Sequence, residues 1–278
     1  MFVGCVFEKK GESNLRFFQK YLRYIGTFND YSYLLVMLIK KDIKIKYKGS
    51  YLGILWSLMN PMFYMLILTL VFSTIFKPSI NNFPVYLICG LLLFNFFSSS
   101  TNASMRSIVG AAQLIKKIYV PKYIFPMAKV ISDFIFFLIS LVVLVGLMLI
   151  TESTITWNVL FAPLYLLLLL IFCIGIGLIV STIVVFFRDF EHLYSLVVMA
   201  MMYSSAIFYP VDIVPERFSF ILRFNPMFHF IDGFRTVVYF GEFVSPNNLL
   251  TCILISIVSL ISGILIFEKN QNKFIFYM

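Results

Sequence analysis

The sequence predicts an all-α polytopic membrane protein with six transmembrane helices, an N-terminal amphipathic interfacial helix and re-entrant outer helices before the last span. Three observations predict it. The 278 residues are 61% apolar and only 13% charged, whereas soluble domains carry about 25% charged residues. Mean hydropathy is +0.95. The apolar residues also come in continuous runs of about 20, the length at which an α-helix crosses a ~30 Å hydrocarbon core. Lipid offers the backbone no hydrogen-bond partners, so only helices or closed barrels span it, and continuous rather than alternating hydrophobicity selects helices.

In chain order, residues 1–30 read as a cytoplasmic N-terminal segment. Its opening, MFVGCVFEKK, places a short apolar patch ahead of its charges, the reverse of a signal peptide, so no cleaved leader is expected. Residues 31–48 read as the interfacial helix. Val36, Ile39, Ile43 and Tyr47 fall at helical spacing beside a stripe of Lys40, Lys44 and Lys48, which suits a helix lying in the headgroup region. The alternation IKIKY also fits a strand, but an open strand edge beside lipid would leave its backbone unpaired. Gly49-Ser50 breaks the pattern, and residues 49–278 form the transmembrane domain of six spans.

The spans read as Ile54–Phe76, Phe83–Ala103, Met127–Ile150, Val159–Phe187, Leu193–Tyr209 and Leu249–Phe267, the fifth short and the fourth long. With a cytoplasmic N-terminus, 18 of the 22 Lys and Arg residues fall on inside segments, and only Lys77, Arg217, Arg223 and Arg235 fall outside. That bias orients the chain with both termini in the cytoplasm. The net charge of +9 thus belongs to helix flanks and anionic lipid rather than to nucleic acid. Between spans two and three, Arg106–Pro126 carries a short helical pattern ended by Pro121, basic and partly apolar, as either a connector or a docking surface would be. After span five, Tyr209–Phe240 is too charged to span and too aromatic for a solvated loop. Two short amphipathic helices split at Asn225-Pro226 would dip back into the outer leaflet.

Catalytic chemistry is hard to find. Cys5, Cys89, Cys173 and Cys252 are scattered without metal-ligand spacing, as small buried residues. Asp133 is the one clear ionisable residue within a span, and Lys129 one turn earlier offers it an i, i+4 ion pair. His192 and His229 lack ligand partners at the right spacing. The Arg188-Asp189…Glu191 cluster suits helix capping or linking. No phosphate loop is present, so no cofactor is expected on this chain. Aromatic surface is what abounds: 33 Phe, 16 Tyr and 2 Trp. Trp56, Phe63 and Tyr64 share roughly one helical face, beside Asn60-Pro61. That face fits either packing in the membrane or a pathway wall on which sugar rings stack.

The run YKGSYLGILWSLMNPMFYMLILTLVFS (residues 47–73) resembles the first-helix signature of the membrane subunits of polysaccharide-exporting ABC transporters, within the type 2 ABC export permeases. FFRDFEHLYSLVVMAMMYSSAIFYPVDIVPERFSFILRFNPMFHFIDGFRTVVY (residues 186–239) resembles their second signature, with its RD turn, aromatic-Tyr-Pro, Asn-Pro and Gly-Phe-Arg. The resemblance implies a homodimer in the inner membrane, paired with two copies of a separate ABC ATPase that binds the ATP and Mg. It implies a lipid-linked O-antigen, capsule, teichoic acid or similar glycan passing between the two permease copies. It further implies Trp56, Phe63, Tyr64, Tyr203, Phe208 and Tyr209 as pathway lining or gate. Gln113, Leu114, Ile115, Lys116, Lys117, Ile118 and Tyr119 would belong to the ATPase-coupling segment. Lys44, Lys46 and Lys48 would meet lipid headgroups or a lipid diphosphate, and Phe220, Phe224 and Phe228 would serve the outer gate. The alternative within transport is a type 2 exporter of a drug or other small amphipathic molecule. A membrane transferase would need a clustered acid, base or metal site, and a scaffold would not stimulate an ATPase.

Overall fold

Apolar runs too long for any soluble core fold here into helices that bury one another. The computed structural model describes residues 31–76, 80, 82–153 and 155–277; the expected segment 1–30, with Cys5, and Lys77 lie outside them. Helix α1 (Ser32–Lys46) precedes α2 (Trp56–Phe76), which is entered through a short 3-10 turn, Gly53–Leu55. Next come α3 (Phe83–Gly110), the short α4 (Ala112–Lys117) and α5 (Ile124–Ile150). The second half holds α6 (Ala162–Phe186), α7 (Phe190–Tyr203), α8 (Ser219–Phe224), α9 (Pro226–Val238), α10 (Pro246–Asn270) and α11 (Phe274–Tyr277). No strand occurs among the described residues.

Five stretches among the described residues are long and apolar enough to cross a membrane: Gly53–Phe72, Phe83–Lys117, Ile124–Ile150, Trp157–Phe186 and Pro246–Tyr277. They match five of the six expected spans. The other expectation, Leu193–Tyr209, meets a helix of 14 residues, Phe190–Tyr203, about 21 Å long against a ~30 Å core. Its end is a turn that the sequence pattern runs through: Ser204 closes the helix, and Ala206 takes a left-handed φ of 50°. The split at Asn225-Pro226 is as expected, with α8 ending and α9 beginning there.

Helices α3 and α6 are the centre. Of the apolar stretch through α3, 78% is buried inside the protein, against 6% for that of α2. Phe97 of α3 stacks on Phe172 of α6 at 5.7 Å, and Phe230 of α9 meets Phe172 at 5.3 Å. The α6–α10 crossing is closer still. A methyl group on Gly175 would lie 2.5 Å from the Ser259 carbonyl oxygen, and one on Gly263 would lie 2.5 Å from that of Gly175. Small residues let membrane helices approach at backbone distance, where dispersion and polar contacts replace the hydrophobic drive that lipid cancels. Ser256 and Ser259 hydroxyls donate across this crossing to the Leu168 and Phe172 carbonyls at 2.9 and 3.0 Å.

At the end opposite α1, buried Arg235 of α9 ties three segments together. Its Nε donates to the Tyr86 carbonyl at 3.1 Å, Nη1 to that of Ala206 at 2.7 Å and Nη2 to that of Ile207 at 2.9 Å. The guanidinium lies 3.5 Å from the centroid of the Tyr86 ring. Asn225 does similar work one element earlier. Its amide donates to the Met201 carbonyl and to the Ser204 and Ser205 hydroxyls, while its Oδ1 caps α9 at the Met227 N–H.

Arg235→Ala leaves the Ile207 carbonyl without its donor, at about 1–3 kcal/mol, whereas the Tyr86 carbonyl keeps its bond within α3 and that of Ala206 keeps the Tyr86 hydroxyl at 3.4 Å. The variant's thermal unfolding in detergent is expected several degrees below wild type. Gly175→Val is expected to lower it more than Gly146→Ala, because Gly146 has nothing within 4 Å of an added methyl group.

Candidate functional site

Helix α2 carries Pro61 inside it, and that proline shapes its surroundings. Proline has no N–H, so the Ser57 carbonyl loses its donor one turn later. In lipid such a carbonyl must find another partner. Here the Ser140 hydroxyl of α5 donates to it at 3.0 Å. The Ser57 hydroxyl, in turn, hydrogen-bonds the Tyr47 hydroxyl just after α1. Pro61 thus converts an internal helix bond into a tie between α2 and α5.

Between α2, α3 and α5 lies a chamber of about 380 Å³, lined among others by Lys46, Trp56, Asn60, Asn95, Asp133 and Phe136. Lys46 Nζ sits 3.7 Å from the Asp133 carboxylate and 3.7 Å from the Phe136 ring centroid. Burial pushes the Lys46 ammonium below the usual lysine range, and Asp133 opposes that shift. Lys129 is turned instead to Asp42 of α1, at 2.7 Å. The i, i+4 pairing of Lys129 with Asp133 expected from sequence therefore gives way to two crossed pairs that pin α1 against α5. Helix α1 packs Leu35, Leu38 and Ile39 on Ile124 and Ala128, which brings its carboxylate and its last lysine within reach of α5.

The expected pathway residues divide into two groups. Trp56, Phe63 and Tyr64 are exposed on α2, and only Trp56 of these reaches the chamber. Tyr203 is exposed at the end of α7, while Phe208 is buried, stacked on Phe72 of α2 at 5.8 Å. The Tyr209 hydroxyl donates to the Tyr203 carbonyl at 2.7 Å. The turn after α7 therefore brings Tyr203, Phe208 and Tyr209 together against the far part of α2.

At the basic end, α4 begins after a break at Ala111 and stops where Ile118 turns extended. Ile115 is buried against Ile108, Phe125, Leu178, Phe267 and Phe274. Gln113 borders a groove of about 490 Å³ shared with α1 and α5. Leu114, Lys116, Lys117, Ile118 and Tyr119 face outward, Tyr119 at 94% exposure. Arg106 and Glu191 pair at 2.9 Å, so the cluster after the fourth expected span links helices. Lys44 and Lys48 are exposed, whereas Lys46 is engaged with Asp133. At the other end, Phe220 and Phe224 are exposed and Phe228 is half-buried. Phe228 borders a cavity of about 250 Å³ beside Arg235 and Asp232.

Sequence reasoning missed Asn95, Ser99 and Ser140 as parts of one site. Their signal was present as polar residues inside an apolar run, but nothing local says that they face the same space. The buried role of Arg235 was missed too, since the positive-inside count places it among outside residues.

A helical bundle with a basic end, an uncovered aromatic helix and a polar chamber at span depth defines a multi-pass membrane protein. The chain belongs to the ABC-2 type transporter family, whose sequence profile matches residues 33–239. It is 34% identical over 249 residues to the O-antigen export system permease protein RfbA of Klebsiella pneumoniae, covering 87% of this chain and 93% of that protein. The RfbA of Myxococcus xanthus is 28% identical over 255 residues, covering 91% and 98%. The polysialic acid transport protein KpsM of Escherichia coli is 28% identical over 255 residues, covering 84% and 92%.

The Pro61 tie is testable by a double-mutant cycle. Ser140→Ala is expected to cost about 1 kcal/mol of stability in the wild-type background and less in Pro61→Ala, where residue 61 regains its N–H for the Ser57 carbonyl. Equal costs in the two backgrounds would separate Ser140 from the proline.

Proposed function

We propose that this chain is the membrane subunit of an ATP-driven exporter that carries a lipid-linked cell-surface polysaccharide across the cytoplasmic membrane. The observation that supports it best is the near end-to-end match to O-antigen export permeases. Two copies enclose the passage, and the exposed faces of α2 and α7 form its wall. Helix α7 and the turn to Tyr209 complete a sixth crossing. The basic end faces the cytoplasm by the charge rule, which puts both termini there, and α1 lies along the interface with Lys44 and Lys48 at the headgroups.

Helices α8 and α9 dip into the outer leaflet and return, which the depth of Phe230 against Phe172 supports; Phe220, Phe224 and Phe228 border the exit. A separate ABC ATPase, in two copies, holds ATP and Mg and docks on Leu114–Tyr119. Ile115 roots that segment in the bundle, so a push on the exposed residues reaches α3 and α5. The push shifts the permease only as far as the ATPase contacts its two states differently.

Co-expression with the neighbouring ATPase, in cells lacking their own exporter, tests the reading by surface delivery of lipid-linked glycan. Phe63→Ala with Tyr64→Ala is expected to assemble normally and lower export at least about tenfold, since an aromatic stacking platform contributes about 1–3 kcal/mol. Normal export by that variant would make the aromatics packing groups, and no export by an active, assembled wild-type complex would sink the glycan reading. Ile118→Ser with Tyr119→Ser is expected to lose ATPase co-purification while keeping the wild-type melting temperature. Retention of the ATPase would move the docking site elsewhere.

A further inference from the structure

The chamber behind α2 is more polar than a membrane bundle needs for packing. Intramembrane polar groups are costly, and those that persist usually pair with one another or face a water-filled space. Some of the chamber's groups are paired: Lys46 with Asp133, and Ser140 with Ser57. Asn60 and Asn95 are not. Both are exposed, both line the chamber, and neither amide has a hydrogen-bond partner among the described residues. Asn95 lies near the middle of α3, between the buried Phe94 and Phe96. Two amides held open at that depth offer donors and acceptors to something else.

The remaining walls say what that is. Trp56 borders the space with its ring 40% exposed, while the bordering Phe96 and Phe136 are buried, Phe136 beneath the Lys46 ammonium; an open aromatic face carries partial negative charge that attracts the C–H faces of a saturated ring. The Lys46–Asp133 pair cancels its own charge, so the chamber offers an anion no net attraction and sets a carboxylate against it. A diphosphate is therefore disfavoured. A neutral ring with apolar faces and a rim of hydroxyls matches both the Trp56 face and the free amides. The volume of about 380 Å³ falls at the small end of ligand sites, about 300–1,000 Å³, and suits a monosaccharide rather than a folded length of polymer. Lys46, Tyr47 and Ser50 place one side of the chamber at the basic end. Phe63 and Tyr64 do not line it.

We propose that this chamber is a recognition site for a single neutral pyranose unit, separate from the Phe63 and Tyr64 face. It rests on the polysaccharide-export reading for the source of that sugar: the unit is the glycan's own, engaged from the cytoplasmic side before passage. Asn60 and Asn95 bond its hydroxyls, and Trp56 closes over the ring.

Trp56 and Trp157 are the only tryptophans, and Trp157 is exposed outside the chamber. A Trp157→Phe chain labelled with fluorotryptophan, in lipid nanodiscs with unlabelled scaffold, therefore gives one fluorine NMR signal, that of Trp56. Methyl glycosides of glucose, galactose, mannose and N-acetylglucosamine are titrated in turn, with inorganic pyrophosphate in a parallel arm. At least one glycoside is expected to shift the signal saturably. Asn95→Ala or Asn60→Ala should weaken that response about tenfold, the worth of a ligand hydrogen bond, and pyrophosphate should leave it unmoved.

No saturable response to any glycoside, a response to pyrophosphate alone, or glycoside affinity unchanged in both Asn variants would each overturn the proposal. Export by the same Trp157→Phe chain with its ATPase separates this from the wider reading. Export without a glycoside response rejects the chamber and leaves the exporter. A glycoside response without export keeps the chamber and rejects the exporter.

Discussion

Arg235 is the residue on which the outer half of the molecule depends. A guanidinium in a nearly water-free site is tolerable only when its donors are taken up, and here they are taken up by main-chain carbonyls of two separate segments. Those carbonyls belong to the start of α3 and to the irregular turn after α7. The turn's carbonyls lie outside any helix, while that of Tyr86, already bonded within α3, takes the guanidinium as an additional donor. One side chain thus meets the hydrogen-bonding need of a non-helical stretch and fixes where that stretch sits on the central helix. Gly90 completes the arrangement, since a methyl group there would lie 2.8 Å from Arg235 Nη2. The short α7, the aromatic turn and α9 are one unit because of this contact.

The opposite half follows a different logic. Helix α2 is scarcely buried, and it is joined to α5 through Ser140 at the carbonyl that Pro61 strips of its donor, and to the end of α1 through Tyr47. Beyond these polar ties, α2 meets the core through Met65, Leu68 and Phe72, and most of its length stays outside the α3–α6–α10 core. The crossed pairs Lys46–Asp133 and Lys129–Asp42 hold α1 to α5, and α4 packs Ile115 with Phe125 of α5, so α1, α2 and α4 share α5 as a common support.

Much of this was legible in the residues. Long apolar runs gave five helices of spanning length, and Asn225-Pro226 gave the break between α8 and α9, because proline removes a backbone donor wherever it falls. The helix at residues 32–46 was legible from spacing. The fifth expected span, Leu193–Tyr209, is where the helix stops short of the pattern, at Tyr203. Residues 204–209 are as apolar as a helix interior, but Asn225 and Arg235 claim their carbonyls and hydroxyls from outside the segment. A window of local sequence does not contain those competitors. The ion pairs were misread for the same reason: Lys129 has Asp133 one turn away, yet Asp42, 87 residues earlier, takes it.

The sequence by itself determined that this chain is a helical membrane protein, roughly where its helices run, which end is basic, and that its second half is broken by proline. These follow from hydropathy, backbone chemistry and charge, all of which are local or additive along the chain. Only the tertiary structure decided that Asn60, Asn95, Asp133 and Lys46 border one chamber, that Phe208 is buried while Phe63 and Tyr64 are not, and that Arg235 is a core residue. Those outcomes depend on which helices face each other. In a membrane that choice rests on close backbone approach and on the pairing of polar groups far apart in sequence, since hydrophobicity favours every apolar face alike.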